Sequence, residues 1–436
     1  MINSRPGEPE RRRTARVLAV GLILTVLAAA SWTTGPSSRA AALAAAPLWT
    51  GTWAASPQTG STTFSQQTLR QVVHTSISGT SARIQLSNAF GKQPVTVADV
   101  HIARRASGSS TTAGTDRRIT FAGATSTTIP AGGTAVSDAV SFAVAASSDV
   151  AVSFYLPQST GPATFHSTGE QTNYVAAGDV SANVSITATR TSNDYYLLAN
   201  LDVQNSAAKG AVVALGASIT DGVATAANAN HRWTNLLSNR LIASGRTVGV
   251  LNQGISGNRL LVDGSGQSAL NRFNRDVLAQ PGVRWVIFAD DPINDVGDNR
   301  PVPTTSQLTA GLEQLISRAH QSGVKFLCAT LTPFAGASYW TAAGETSREG
   351  YDTFVRGASS GCDGVIDIDK ATHDPANPTK YLPAYDSGDH LHPNDAGMQA
   401  MANAVNLSLF DTVAANPSTA DRAAVGAWEK FDLINK

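Results

Sequence analysis

At Gly210 the hydrophobic rhythm of the chain changes. Before it, from about residue 48 to residue 208, apolar and polar residues alternate in short runs such as RQVVHTSI, SARIQLSNAF and VAVSFYLP. Turns rich in Gly, Ser, Asn and Pro separate these runs, and none carries a stripe of period 3.6. Side chains on a strand alternate between two faces, so this text predicts half-buried antiparallel strands packed as a β-sandwich. AVSFAV and ANVSITATR are read as further strands, and RRITFAGATSTTIPAGGTAVSD as strand, turn, strand. After Gly210 the runs are apolar throughout: AVVALG, TVGVLNQG, VRWVIFA, VKFLCAT and GVIDID. Helical text separates them, in HRWTNLLSNRLIAS, around residues 269–278, over 305–322, over 348–358 and in NDAGMQAMANAVNLSLF. A strand that is apolar on both faces must be covered on both, which predicts a parallel sheet between two helical layers.

The expected fold is therefore an α/β domain, a three-layer α/β/α arrangement around a parallel sheet, preceded by an all-β sandwich-like domain. The divisions fall at 1–46, 47–205, 206–415 and a tail at 416–436. The first division is a leader. Arg11, Arg12, Arg13 and Arg16 precede an apolar run from Val17 to Ala30, and AALAAAP follows. That layout predicts a secretory signal peptide, cleavage after Ala44 or Ala46, a secreted, extracellular product, and no stable membrane insertion once the leader is gone. Lys+Arg 32 against Asp+Glu 32 gives no basic field, so nucleic acid is not an expected partner. An oxidising destination permits, without requiring, a disulfide between the two cysteines, Cys328 and Cys362. Nothing in the sequence fixes an oligomeric state.

Ligand sites of open parallel sheets lie beyond the carboxyl ends of the strands. Four polar clusters occupy those positions: GASITDG with Ser218, NQGISGNR with Gly254 and Gly257, DDPINDVGD with Asn294, and DSGDHLHPNDAG with Asp389, His390 and His392. A serine, a histidine and a carboxylate suit nucleophilic acyl transfer. The hydroxyl needs a base to take its proton, and the imidazole needs a carboxylate to fix its tautomer. Asp221, Asp291 and Asp295 read as groups that fix loops. His390 is a rival base one residue from Asp389, and the cluster has no defensible metal-ligand spacing. Trp49, Trp53 and Trp233 read as packing residues.

These blocks, in this order, resemble the SGNH, or GDSL-like, family of lipases and acylhydrolases. GASIT stands where the family often has GDS, GISG matches its second block, PIND its third and DHLH its DxxH block. The resemblance implies a serine-dependent carboxylic ester hydrolase with Ser218 as nucleophile, His392 as base and Asp389 as acid. It implies an oxyanion hole from the amides of Ser218 and Gly257 and the side chain of Asn294. No cofactor or metal is implied. The substrate would be an ester, such as an acetylated carbohydrate or a lipid. Pro292, where the family usually has glycine, raises an alternative. If that position needs positive φ, proline displaces Asn294, and the chain is a polysaccharide-binding protein with a degenerate hydrolase domain. The leading half also resembles, more loosely, the β-sandwich that precedes the catalytic domain in some secreted relatives.

Overall fold

Gly210–Gly216 is buried at all seven positions and pairs on both sides, with Val248–Gly254 and with Val283–Phe288. In the computed structural model, which describes residues 49–411, these strands are joined by Lys325–Ala329 and Gly364–Ile366. All five are parallel, in the spatial order second, first, third, fourth, fifth. Successive residues of the first strand feed opposite cores. Ala211, Val213 and Leu215 pack with Leu308, Leu312 and Phe326, whereas Val212 and Ala214 pack with Trp233, Leu237 and Met398. The chain is thus a three-layer α/β/α fold with an all-β region before it. The leader and the tail beyond residue 411 lie outside the described residues.

The all-β region has two main antiparallel sheets, one of four strands and one of eight, and a short pair, Phe165–His166 with Tyr195–Tyr196. Ile84, Leu86, Leu201 and Val203 of the smaller sheet share one core with Leu69, Val97, Val152 and Phe154 of the larger. Three segments depart from the sequence reading. AVSFAV makes only isolated bridges at Val140 and Val144. Most of ANVSITATR is not strand, because its carbonyls serve another purpose. Those of Asn183 and Val184, with those of Ser181 and Ser109, accept from the buried guanidinium of Arg70. The stretch from Arg117 gives three short strands where one hairpin was expected, Arg117–Ile119, Ser126–Ile129 and Thr134–Val136.

The described residues, 49–411, pack as one compact unit. The strand Trp49–Ala54 lies against the edge strand Val248–Gly254 so closely that a Cβ on Gly249 would stand 2.2 Å from the Gly51 carbonyl oxygen. Backbones meet there because neither residue has a side chain. The Ser76 hydroxyl accepts from the Val250 N–H at 2.9 Å, capping a donor that an edge strand would otherwise leave open.

Candidate active site

Each block of polar residues follows a strand end. Ser218 opens a single helical turn, Ser218–Asp221, directly after Gly210–Gly216, and is buried. The loop before the last helix brings His392 to it. His392 Nε2 lies 2.9 Å from Ser218 Oγ, and His392 Nδ1 lies 2.6 Å from Asp389 Oδ2. Asp389 Oδ1 also accepts the backbone N–H groups of Leu391 and His392, which ties the carboxylate to the turn it orients. Partial burial pushes the Asp389 carboxyl up, but the hydrogen bonds from the His392 ring and from the two amides outweigh it and hold the group down at about 2. The rival His390 turns to its own carboxylate, with Nδ1 2.5 Å from Asp386 Oδ2 and φ at 63°.

Gly257 ends the turn after Val248–Gly254 with φ at 75°, and a Cβ there would meet Ser265 Oγ at 2.5 Å. Its glycine is therefore required twice, by conformation and by space. Among the hydrogen bonds of the described residues, the amides of Ser218 and Gly257 have no acceptor. Asn294 lies in a helix, Asp291–Asp298. Pro292 stands in the first helical turn, where a missing N–H costs nothing because that donor has no helical partner. Asn294 is held by two contacts in that helix. Its Nδ2 donates to the Asn258 carbonyl at 2.8 Å, and its Oδ1 accepts from the Tyr339 hydroxyl at 3.2 Å.

Residues 214–400 match the family model described as GDSL-like lipase/acylhydrolase. That span belongs to the GDSL-like lipase/acylhydrolase family. The GDSL-like domain makes the chain a carboxylic ester hydrolase. Among solved structures, the chain is similar to an alpha/beta hydrolase enzyme from the metagenome of Lake Arreo (25% identity, 49% of this chain and 98% of that one, TM-score 0.36). It is also similar to a lipase/acylhydrolase from Enterococcus faecalis (20%, 48% and 100%, 0.36). A third is an acetyl-xylooligosaccharide esterase variant from Geobacillus Stearmophilus (22%, 47% and 95%, 0.36). No curated protein matches the chain.

Within the GDSL-like domain, buried aspartates lock the blocks to one another. Asp290 Oδ2 accepts the Ile219 N–H at 2.9 Å and its other oxygen takes the Thr220 hydroxyl, so the third block holds the turn that carries Ser218. Burial raises the Asp290 carboxyl above its ordinary value despite these bonds. Asp221 Oδ2 accepts the N–H and hydroxyl of Ser256 at 2.9 and 2.7 Å, tying the first block to the second. Asp291 accepts from Asn258 Nδ2 at 2.8 Å, and Asp295 takes the amides of Leu260 and Leu261, tying the third to the second. Arg272, fully buried, donates to the carbonyls of Gly216 and Gln253 and to the hydroxyl of Ser56 in the β-region.

Asp221, Asp291 and Asp295 thus fix loops, as their sequence context implied. Sequence reasoning missed Asp290 and Arg272. Asp290 had a signal in the doubled aspartate of DDPIND, but Arg272 sits in a helix with no motif around it. Cys328 and Cys362 form a disulfide with Cα atoms 5.8 Å apart.

Proposed function

We propose that the chain hydrolyses esters through an acyl-enzyme on Ser218, with short acyl groups on polar alcohols, such as acetylated sugar hydroxyls, as the substrate class. The observation that carries this is the unbroken line from Ser218 Oγ through His392 to Asp389. His392 Nε2 takes the hydroxyl proton as Oγ attacks the acyl carbon, and Asp389 stabilises the imidazolium that forms. The carbonyl oxygen becomes an oxyanion, for which the free amides of Ser218 and Gly257 and the second N–H of Asn294 Nδ2 are the donors. Collapse returns the proton from Nε2 to the leaving alkoxide, which departs as the alcohol. Water then attacks the acyl-enzyme with His392 again as base. It releases the acid and restores the hydroxyl.

The polar alcohol is favoured because the rim of the site is polar. Ser387, Asp389 and His390 are exposed in the loop that carries His392. The binding-protein alternative drew on displacement of Asn294 by Pro292, and a proline placed in the first turn of a helix favours the hydrolase reading. The leader at 1–46 makes this an extracellular activity, so the N-terminus of secreted material should fall near Ala45 or Pro47. The test is turnover across aryl acetates, acetylated glycans and long-chain lipid esters. Acetyl esters should turn over best, and Ser218→Ala should abolish turnover. A folded Ser218→Ala that kept wild-type turnover would remove the mechanism, and a preference for long-chain lipids would replace the substrate class.

A further inference from the structure

The turn that carries Gly257 is gripped from outside the GDSL-like domain. His166, in the all-β region, is buried and places Nε2 3.1 Å from Asp221 Oδ1. Its Nδ1 lies 3.0 Å from the Ser56 carbonyl oxygen. Both ring nitrogens therefore face acceptors, which fixes the ring between the Asp221 carboxylate and the Ser56 carbonyl. The far oxygen of the same Asp221 carboxylate takes the N–H and hydroxyl of Ser256, the residue before Gly257. Ser256 Oγ also lies 3.3 Å from Thr168 Oγ1, and Arg232 donates both to the Asp221 carbonyl and to the Thr168 carbonyl.

The opposite side of the turn is held from the same place. Gln58 Nε2 donates to the Ser265 carbonyl at 3.0 Å, and Ser265 is the residue against which Gly257 packs. Gln58 and Phe165 pair backbone to backbone, so the two grips are one rigid piece of the β-region.

We propose that the all-β region is a working part of the ester-hydrolysing site, and that His166 is a positioning residue which, through Asp221 and Ser256, sets the Gly257 amide where the oxyanion forms. This rests on the reading of Gly257 as an oxyanion donor given above. An oxyanion donor must be aimed before the charge develops, because reorganising it during reaction would consume the stabilisation it supplies. A carboxylate that spans the turn and an imidazole does this without touching substrate. The all-β region thereby acts on kcat, and a role limited to substrate capture would act on KM.

The experiment uses the full chain and steady-state kinetics on an aryl acetate. His166→Leu removes the donor to Asp221, and kcat should fall about 10- to 100-fold, with KM changing less than about 3-fold. His166→Gln, whose amide can still donate to Asp221, should recover much of the loss, which a general loosening of the fold would not allow. Ser256→Ala keeps the backbone bond to Asp221 and should lower kcat by roughly 3- to 10-fold, and adding it to His166→Leu should cost less than it does alone. If His166→Leu does not fold, Ser256→Ala decides by itself, and wild-type kcat there overturns the proposal. Folded His166→Leu with wild-type kcat also overturns it, as does a loss expressed only in KM. Ser218→Ala run alongside separates the two levels. A silent His166→Leu beside an inactive Ser218→Ala sinks only the role of the all-β region, whereas turnover persisting in Ser218→Ala sinks the reading of the site beneath it.

Discussion

Asn294 carries two amide hydrogens, and one is committed to the Asn258 carbonyl. The other is the one a developing negative charge can use. Asn294→Ala should therefore lower kcat by about 100-fold and leave KM nearly unchanged, as loss of a donor used mainly in the transition state does. Steady-state kinetics on an aryl acetate measures this, and a mainly raised KM would recast Asn294 as a substrate-binding group. Two carboxylates of this domain respond to pH in opposite senses. Asp389, held at about 2, stays ionised across the working range of the site, so its charge on the His392 side is constant. Burial lifts Asp295 to about 7, against the pull of the Leu260 and Leu261 amides. An unfolded aspartate titrates near 3.9, so between about 4 and 7 the folded state holds the extra proton. The stability this group contributes is complete below about 4 and is lost as pH rises through about 7. Denaturant unfolding at pH 4.5 and 7.5 should show it. The stability lost on Asp295→Asn should be larger at the lower pH, and equal losses at both would place the ionisation elsewhere.

At the scale of elements, Pro292 stands in the first turn of a helix, where proline is well tolerated. Pro292→Gly should keep kcat within about 2-fold and lower stability by about 0.5–1 kcal/mol, because glycine gains freedom in the unfolded chain. A raised kcat in that variant would show that proline strains the Asn294 helix after all. The disulfide joins the strand Lys325–Ala329 to the segment before Gly364–Ile366 and closes 34 residues. Replacing both cysteines by alanine should cost about 2–4 kcal/mol in denaturant unfolding. The parallel strands could be read in the sequence because burial on both faces leaves a run of apolar letters that no other element needs. Ser218, Asp389 and His392 could be read because each lies beside a strand end or turn whose residues are local. The misread segments have non-local causes. ANVSITATR has strand-like letters, but its carbonyls are claimed by Arg70, more than a hundred residues earlier. His166 looks like any histidine of a half-buried strand until Asp221, which comes 55 residues later, is folded against it.

For the whole molecule, the all-β region and the α/β domain share an interface made of backbone as much as side chain. Gly249→Ala would drive a methyl group into the Gly51 carbonyl. It should cost about 1–3 kcal/mol, as overpacking a close contact does. Since residues 49–411 form one unit, unfolding should be a single transition, followed alike by tryptophan fluorescence and by far-ultraviolet dichroism. Two separated transitions would mean that the parts hold themselves up independently. The edge strand Val248–Gly254 has a further consequence. At that rim the chain already caps its own open amide with the Ser76 hydroxyl, and the opposite rim, Gly364–Ile366, is three residues long. Neither rim gives a second molecule a long, vacant row of donors and acceptors to zip onto. The sheet that carries the catalytic loops is thereby poorly suited to seed cross-β polymers at high protein concentration.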